Sequence, residues 1–140
     1  MKISMVKCKK KLTLLWFIGG GILFASVVAQ SFGQYYGDKV DAAWSWFLPT
    51  IMPTLSLILA VLIIDSAGNS ILKLNVDNFT FRLTYILSLL YLISIAVIIF
   101  ISMFISYNVF ELMKISNYWL GPFQGLVSAS IGIFFIKKEA

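Results

Sequence analysis

Hydroxyl side chains recur along one apolar run of the sequence at the spacing of a single helix face. At 100° per residue the hydroxyl positions fall within a sector of about 60°. They are Thr84, Ser88, Tyr91, Ser102 and Ser106. Ile95, Ile98 and Ile99 lie on the same side and divide the stripe at its middle. Such a stripe can line a hydrated path, and a ring of isoleucines in an oligomer can close the path by dewetting.

We therefore predict a pore lined by the third apolar run. The predicted lining residues are Thr84, Ser88, Tyr91, Ile95, Ile98, Ser102 and Ser106. The alternative is structural: in membranes, hydroxyls commonly bond to a neighbouring helix or to their own backbone.

The sequence lacks the groups that catalysis and metal binding usually need. It contains no histidine and one cysteine, Cys8, and none of its six acids lies near the middle of an apolar run. A serine without a general base is a poor nucleophile, and transporters normally need an ionisable group within the membrane. We predict no enzymatic activity, no cofactor and no metal site.

A second polar group collects towards the predicted outer side of the membrane. It consists of Gln30, Pro49, Thr50, Pro53, Thr54 and Gln124. Pro53 removes the hydrogen bond that its nitrogen would give to the carbonyl of residue 49, so a helix must bend or begin there. Threonines and glutamines can satisfy the freed backbone groups. These residues predict an outer vestibule, with a purely structural kink as the alternative.

Small residues recur at four-residue spacing in the first and last apolar runs. They are Gly21, Ala25 and Ala29 in the first run and Gly121, Gly125 and Ala129 in the last. Small side chains on one face let two membrane helices approach closely. The spacing predicts helix packing, and it leaves open whether that packing occurs within one chain or between subunits.

The elements that position these residues are long apolar runs. The chain has 140 residues, of which 60% are hydrophobic and 12% are charged. Four runs approach the length of about 20 residues that a spanning helix needs, at residues 12–30, 46–64, 83–107 and 119–136. We predict an all-α membrane protein with one four-helix domain. The first run also fits a secretory signal peptide, and we favour an uncleaved span.

The distribution of basic residues predicts the orientation. With both termini in the cytoplasm, nine bases lie inside, at positions 2, 7, 9, 10, 11, 73, 82, 137 and 138, and only Lys39 and Lys114 lie outside. Cytoplasmic loops carry this excess in inner membranes. The basic N-terminus is expected to contact anionic lipid in preference to nucleic acid.

The connection between the second and third runs has two interpretations. Residues 71–83 alternate between apolar and polar side chains around Asp77 and Asn78, which is typical of a small β-hairpin. Alternatively, Asp77 or Asn78 caps a longer third helix.

We recognise no family in the sequence. The run FLPTIMPTLSLIL resembles, without a defining motif, small membrane proteins that accompany bacterial defence systems. The expected function is an oligomeric subunit that forms or gates a pore or perturbs the membrane, with a cytoplasmic or membrane partner. The alternatives are an immunity or exclusion factor that binds another membrane protein through its outer aromatic loops, and a small-solute transporter.

Overall fold

The computed structural model describes residues 2–67, 75–101, 103–105 and 108–135. A short strand, β1 (Lys2–Ser4), leads into helix α1 (Met5–Phe32). A turn and a 3-10 helix (Gly37–Lys39) lead into α2 (Val40–Ala67). Strand β2 (Asn75–Asp77) immediately precedes α3 (Asn78–Ile101), and α4 (Val109–Phe135) comes last.

The predicted hairpin is wrong. Asn75–Asp77 does form a strand, but it pairs antiparallel with Lys2–Ser4, with Lys2 opposite Asp77 and Ser4 opposite Asn75. The expected second strand is instead the first turn of α3, which begins at Asn78. A helix forms here in place of a strand because residues 78–101 are one long apolar segment, whereas the alternating pattern covers only a few residues. The beginning of the predicted hairpin, residues 71–74, lies outside the described residues.

The four helices form a bundle in which the second and third helices lie at opposite corners. Around the bundle the order is α1, α3, α4, α2, and a contact between α1 and α4 crosses the centre. Lys11 contacts Phe81 and Gly19 contacts Leu92, so α1 and α3 are parallel neighbours. The other parallel pair is α2 and α4.

Among the residues that the structure describes, three helical segments are long and apolar enough to cross a membrane: Val6–Phe32, Gly37–Ala60 and Asn78–Ile101. This property fits a membrane protein with transmembrane helices. Helix α4, with 27 residues, is not among these segments within the described part of the chain. The third helix ends at Ile101, whereas the sequence predicts a span that continues to residue 107.

Three consecutive glycines in α1 face three different surroundings. A Cβ on Gly19 would lie 3.0 Å from Leu92 of α3, and one on Gly20 would lie 3.4 Å from Ile51 and Leu55 of α2. A Cβ on Gly21 would meet nothing within 4 Å. Successive helical residues are rotated by 100°, so one GGG sequence lets α1 pack closely against two neighbours while its third member faces outwards.

Candidate functional site: a polar node at the proline bend

The two prolines of α2 lie inside the helix and open its backbone. Helix α2 begins at Val40, so Pro49 and Pro53 are both internal positions. The nitrogen of Pro53 carries no hydrogen, so the carbonyl of Pro49 loses its usual helical donor. In a hydrocarbon environment such a carbonyl needs a replacement partner.

Two other helices supply replacement donors at this bend. The Gln124 side chain of α4 donates from Nε2 to the carbonyl oxygens of Pro49 and Thr50, both at 3.2 Å. The Tyr91 hydroxyl of α3 donates to the carbonyl of Thr50 at 2.6 Å. We call Pro49, Thr50, Tyr91 and Gln124 the polar node. It connects three helices through hydrogen bonds, including α2 and α3 at opposite corners of the bundle.

Local packing holds the donors of the polar node in place. The Tyr91 ring is fully buried. Its centroid lies 5.9 Å from that of Trp16 in a tilted contact and 5.5 Å from that of Phe123 in an edge-to-face contact. The Thr50 hydroxyl bonds back to the carbonyl of Phe47 at 2.5 Å, as hydroxyls often do in bent helices. The node is therefore a set of neutral donors and carbonyl acceptors in which Thr50 and Tyr91 are buried, Gln124 is half-buried and Pro49 is exposed.

The structure brings only part of the predicted vestibule together. Pro49, Thr50 and Gln124 meet in the polar node. Gln30 lies in a separate contact, where its Oε1 accepts from the Tyr36 hydroxyl and its Nε2 lies 3.6 Å from the Met103 sulfur.

The hydroxyl of Thr54 is buried but has no hydrogen-bond partner among the described residues. The sequence groups all of these side chains by depth, whereas the structure separates them by helix face.

The predicted pore-lining stripe faces the interior of the chain and not a surface that other subunits could share. Thr84, Ser88, Tyr91, Ile95 and Ile98 are all at most 5% exposed. A path lined by these five residues would therefore run within one chain and not along an axis shared by several α3 helices. Ser102 and Ser106 lie outside the described residues.

Several buried polar atoms within the bundle have no hydrogen-bond partner among the described residues. They are Thr13 Oγ1, Trp16 Nε1, Thr54 Oγ1, Thr84 Oγ1 and Ser88 Oγ. Leaving such an atom unpaired costs about 1–3 kcal/mol. The interior next to the polar node thus contains polar atoms to which the surrounding side chains give no hydrogen bond.

This arrangement supplies hydrogen bonds but no acid, base or nucleophile. In the part of the chain that the structure describes, no three His, Cys, Asp or Glu side chains lie close enough to hold a metal. The chemistry available here is the binding of neutral polar groups or water.

Two tryptophans near the start of α2, Trp44 and Trp46, are tied into the fold by hydrogen bonds. Trp46 is 6% exposed and donates from Nε1 to Ser116 of α4 at 3.0 Å. Trp44 donates in the same way to Ser31 of α1 at 3.0 Å. A change at Trp46 would therefore act first on the packing of α2 against α4.

The small-residue faces lie on the outside of the chain. Gly21, Ala25 and Ala29 are exposed on α1, and Gly121, Gly125 and Ala129 are exposed on α4. A Cβ added to Gly21, Gly121 or Gly125 would meet no atom within 4 Å. The spacing leaves open whether these faces pack within one chain or between subunits. In the described part of the chain they do not pack against another helix.

The turn after α1 contains a titratable group whose behaviour can be tested. Burial, with a smaller contribution from Tyr35, raises the pKa of Tyr36 from 10.0 to about 12. Because the folded state holds this proton more tightly, its contribution to stability is complete below pH 10 and is lost as the pH rises through 12.

We expect a Tyr36→Phe variant to lack this part of the alkaline loss. Unfolding in mixed micelles measured at pH 9, 10, 11 and 12 checks this. Parallel curves for the parent and the variant would contradict it, and Tyr35→Phe, which changes an exposed neighbour, is the matched control.

Comparison of the chain with protein-family models, with curated proteins and with solved structures finds no match. Any function assigned to this chain therefore rests on its own sequence and geometry.

Proposed function

We propose that the chain is a non-enzymatic inner-membrane subunit that crosses the bilayer four times with both termini in the cytoplasm. It associates with copies of itself to form or gate a pore or to perturb the membrane. The observation that carries this proposal is the face of Gly21, Ala25 and Ala29, which is exposed in the part of the chain that the structure describes. In lipid, such faces provide the close approach that holds helices together.

The position of the two small-residue faces favours head-to-tail contacts between copies. Helices α1 and α4 occupy opposite corners of the bundle, so their outward faces point away from each other. Gly20 lies at the depth of Ile51 and Leu55, and Gln124 lies at the depth of Pro49 and Thr50, so the two faces have similar depth. A contact from the α1 face of one copy to the α4 face of the next is heterologous, and such contacts build a ring when the rotation between copies closes and an open filament when it does not.

If the subunit forms a pore, the conducting path that we propose runs through the interior of each chain. Thr84 and Ser88 are buried with unpaired hydroxyls, and Trp16 adds an unpaired indole N–H. Water that enters here would satisfy these atoms, and the isoleucines beyond Tyr91 would form the dry barrier. Hydration of the bundle interior thus replaces the α3-lined axis that the sequence suggests.

Ion flux through liposomes at increasing protein density tests the proposal. We expect flux to rise more steeply than the first power of density, because in this proposal the interior of each chain conducts only after copies associate. Ile98→Ser, which adds a hydroxyl to the dry barrier, should raise the flux several-fold. Val97→Ser places the same change on the exposed side of α3 and should leave it unchanged. Liposomes that stay silent at every density, with both variants equal to the parent, would exclude a pore.

A second candidate function is supported by exposed aromatic side chains at the proposed outer end. Phe32 and Phe104 are each 85% exposed and Tyr118 is 80% exposed. Aromatic side chains are enriched where proteins bind each other, and this set would suit an immunity or exclusion factor that binds another membrane protein. Such a factor would lose its partner in a Tyr118→Ala variant while its oligomer stays intact.

A further inference from the structure

A groove of about 620 Å³ runs between α1 and α3 on the side of the bundle where both helices begin. Leu14, Ile18 and Gly19 line it along α1, and Phe81 and Tyr85 line it along α3. Lys11 lies at one end. The groove is thus mainly apolar with a single cation at its mouth.

Basic side chains outnumber acidic ones among the described residues at the mouth of the groove. The Lys11 ammonium lies 5.8 Å from the centre of the Phe81 ring and forms no salt bridge with any acid that the structure describes. Lys7 lies one helical turn before Lys11 on the same face, and the neighbouring Arg82 of α3 is exposed. The first acid of the sequence is Asp38, so the first turns of α1 carry only basic charges, while Asp77 of β2 lies opposite Lys2 on the same side of the bundle.

The remainder of the groove has the dimensions of an acyl chain site. Leu14 is 48% exposed and Ile18 is 59% exposed, so apolar side chains form an open wall. From Lys11 to Gly19 the helix advances about 12 Å, which is most of one leaflet of a hydrocarbon core of about 30 Å. At Gly19 the helices close up, because Leu92 fills the space that a side chain would need.

We infer that this groove binds one anionic phospholipid of the leaflet that contacts the N-terminus. The phosphate lies against Lys11, with Lys7 and Arg82 nearby, and one acyl chain lies along Leu14 and Ile18 between α1 and α3. A basic mouth above an apolar channel matches the two parts of such a lipid, and each lysine near a membrane surface contributes about 1 kcal/mol to the attraction of anionic lipid. The inference requires α1 and α3 to cross the bilayer and does not depend on oligomers or a pore.

Native mass spectrometry tests this binding directly. The full chain is reconstituted in nanodiscs with phosphatidylglycerol and phosphatidylcholine of identical acyl chains, and released with its retained lipids. We expect one phosphatidylglycerol to be retained in preference to phosphatidylcholine. Lys11→Gln should weaken this retention about 5-fold, the equivalent of about 1 kcal/mol, and Lys11→Arg should restore it. Leu14→Trp should block the groove and abolish retention.

Matched controls exist at the other end of the bundle and along the same helix. Lys39 lies 5.6 Å from the centre of the Phe110 ring, so Lys39→Gln removes a similar lysine far from the groove. Ile22→Trp adds the same bulk as Leu14→Trp two turns further along α1. Both should retain lipid as the parent does.

Three outcomes would overturn the inference. Equal retention of the two lipids would exclude a headgroup site, and equal losses in Lys11→Gln and Lys39→Gln would reduce the effect to net charge. If no lipid is retained and Leu14→Trp instead changes the size of the oligomer, the groove is a contact with a second copy of the chain. None of these outcomes bears on flux, so they are distinguishable from a failure of the proposed function.

Discussion

A Gln124→Leu variant is expected to unfold with a free energy about 1–3 kcal/mol lower than that of the parent chain. Gln124 donates to the carbonyl oxygens of Pro49 and Thr50, both at 3.2 Å. The Thr50 carbonyl keeps its bond from Tyr91, but Pro49 would retain no donor, because Pro53 has no N–H. Denaturant titration in mixed micelles measures the loss.

A double-mutant cycle between Gln124 and Pro53 tests whether the loss of stability comes from the unpaired Pro49 carbonyl. Pro53→Ala restores a backbone N–H that can bond to the Pro49 carbonyl, so Gln124 becomes partly redundant. We expect Gln124→Leu to cost less than half as much in the Pro53→Ala background as in the parent. Equal costs in both backgrounds would mean that Gln124 stabilises the bundle by packing alone. Tyr91→Phe, which removes a donor only from Thr50, should show no such coupling.

A Gly21→Leu, Ala25→Leu double variant is expected to weaken self-association in liposomes by tenfold or more. Both residues are exposed on α1, and the added side chains would separate helices that approach through this face. Tenfold corresponds to about 1.4 kcal/mol, which is within the range of one lost helix contact. Energy transfer between labelled copies, measured as the lipid-to-protein ratio is varied, gives the association constant.

The control for this variant adds the same bulk to a different exposed surface. Ala60→Leu enlarges an exposed position of α2 outside both small-residue faces and should leave association unchanged. A second double variant, Gly121→Leu with Gly125→Leu, should match the α1 variant if the two faces contact each other in a ring. Association that survives both double variants would remove the basis of the proposed subunit contact.

The proline bend shows how far the sequence alone could go. It identifies Pro49, Pro53, Thr50 and Gln124 as polar features at one depth, because depth follows from position along a spanning run. It does not identify Tyr91 as the second donor, because it assigns that side chain to a pore-lining stripe. Which carbonyl meets which donor depends on helix rotation and order around the bundle, and local sequence does not set either.

The three consecutive glycines of α1 also show which packing contacts the sequence alone does not identify. The four-residue spacing draws attention to Gly21 and leaves Gly19 and Gly20 unnoticed, although these two make the close contacts within the chain. The signal was present, since three consecutive glycines occupy three sides of a helix. Only the positions of α2 and α3 decide which side is inside.

The sequence by itself determined that this is an apolar chain with long helical runs and with its cations concentrated at the N-terminus; it predicted four spans, of which three are apolar and long enough among the residues that the structure describes. Those properties follow from composition and run length, which act residue by residue. The tertiary structure decided that Ser88 faces inwards, that Gly21 faces outwards, and that β2 pairs with the N-terminus and not with its neighbour. Each of these outcomes depends on contacts between segments far apart in the chain.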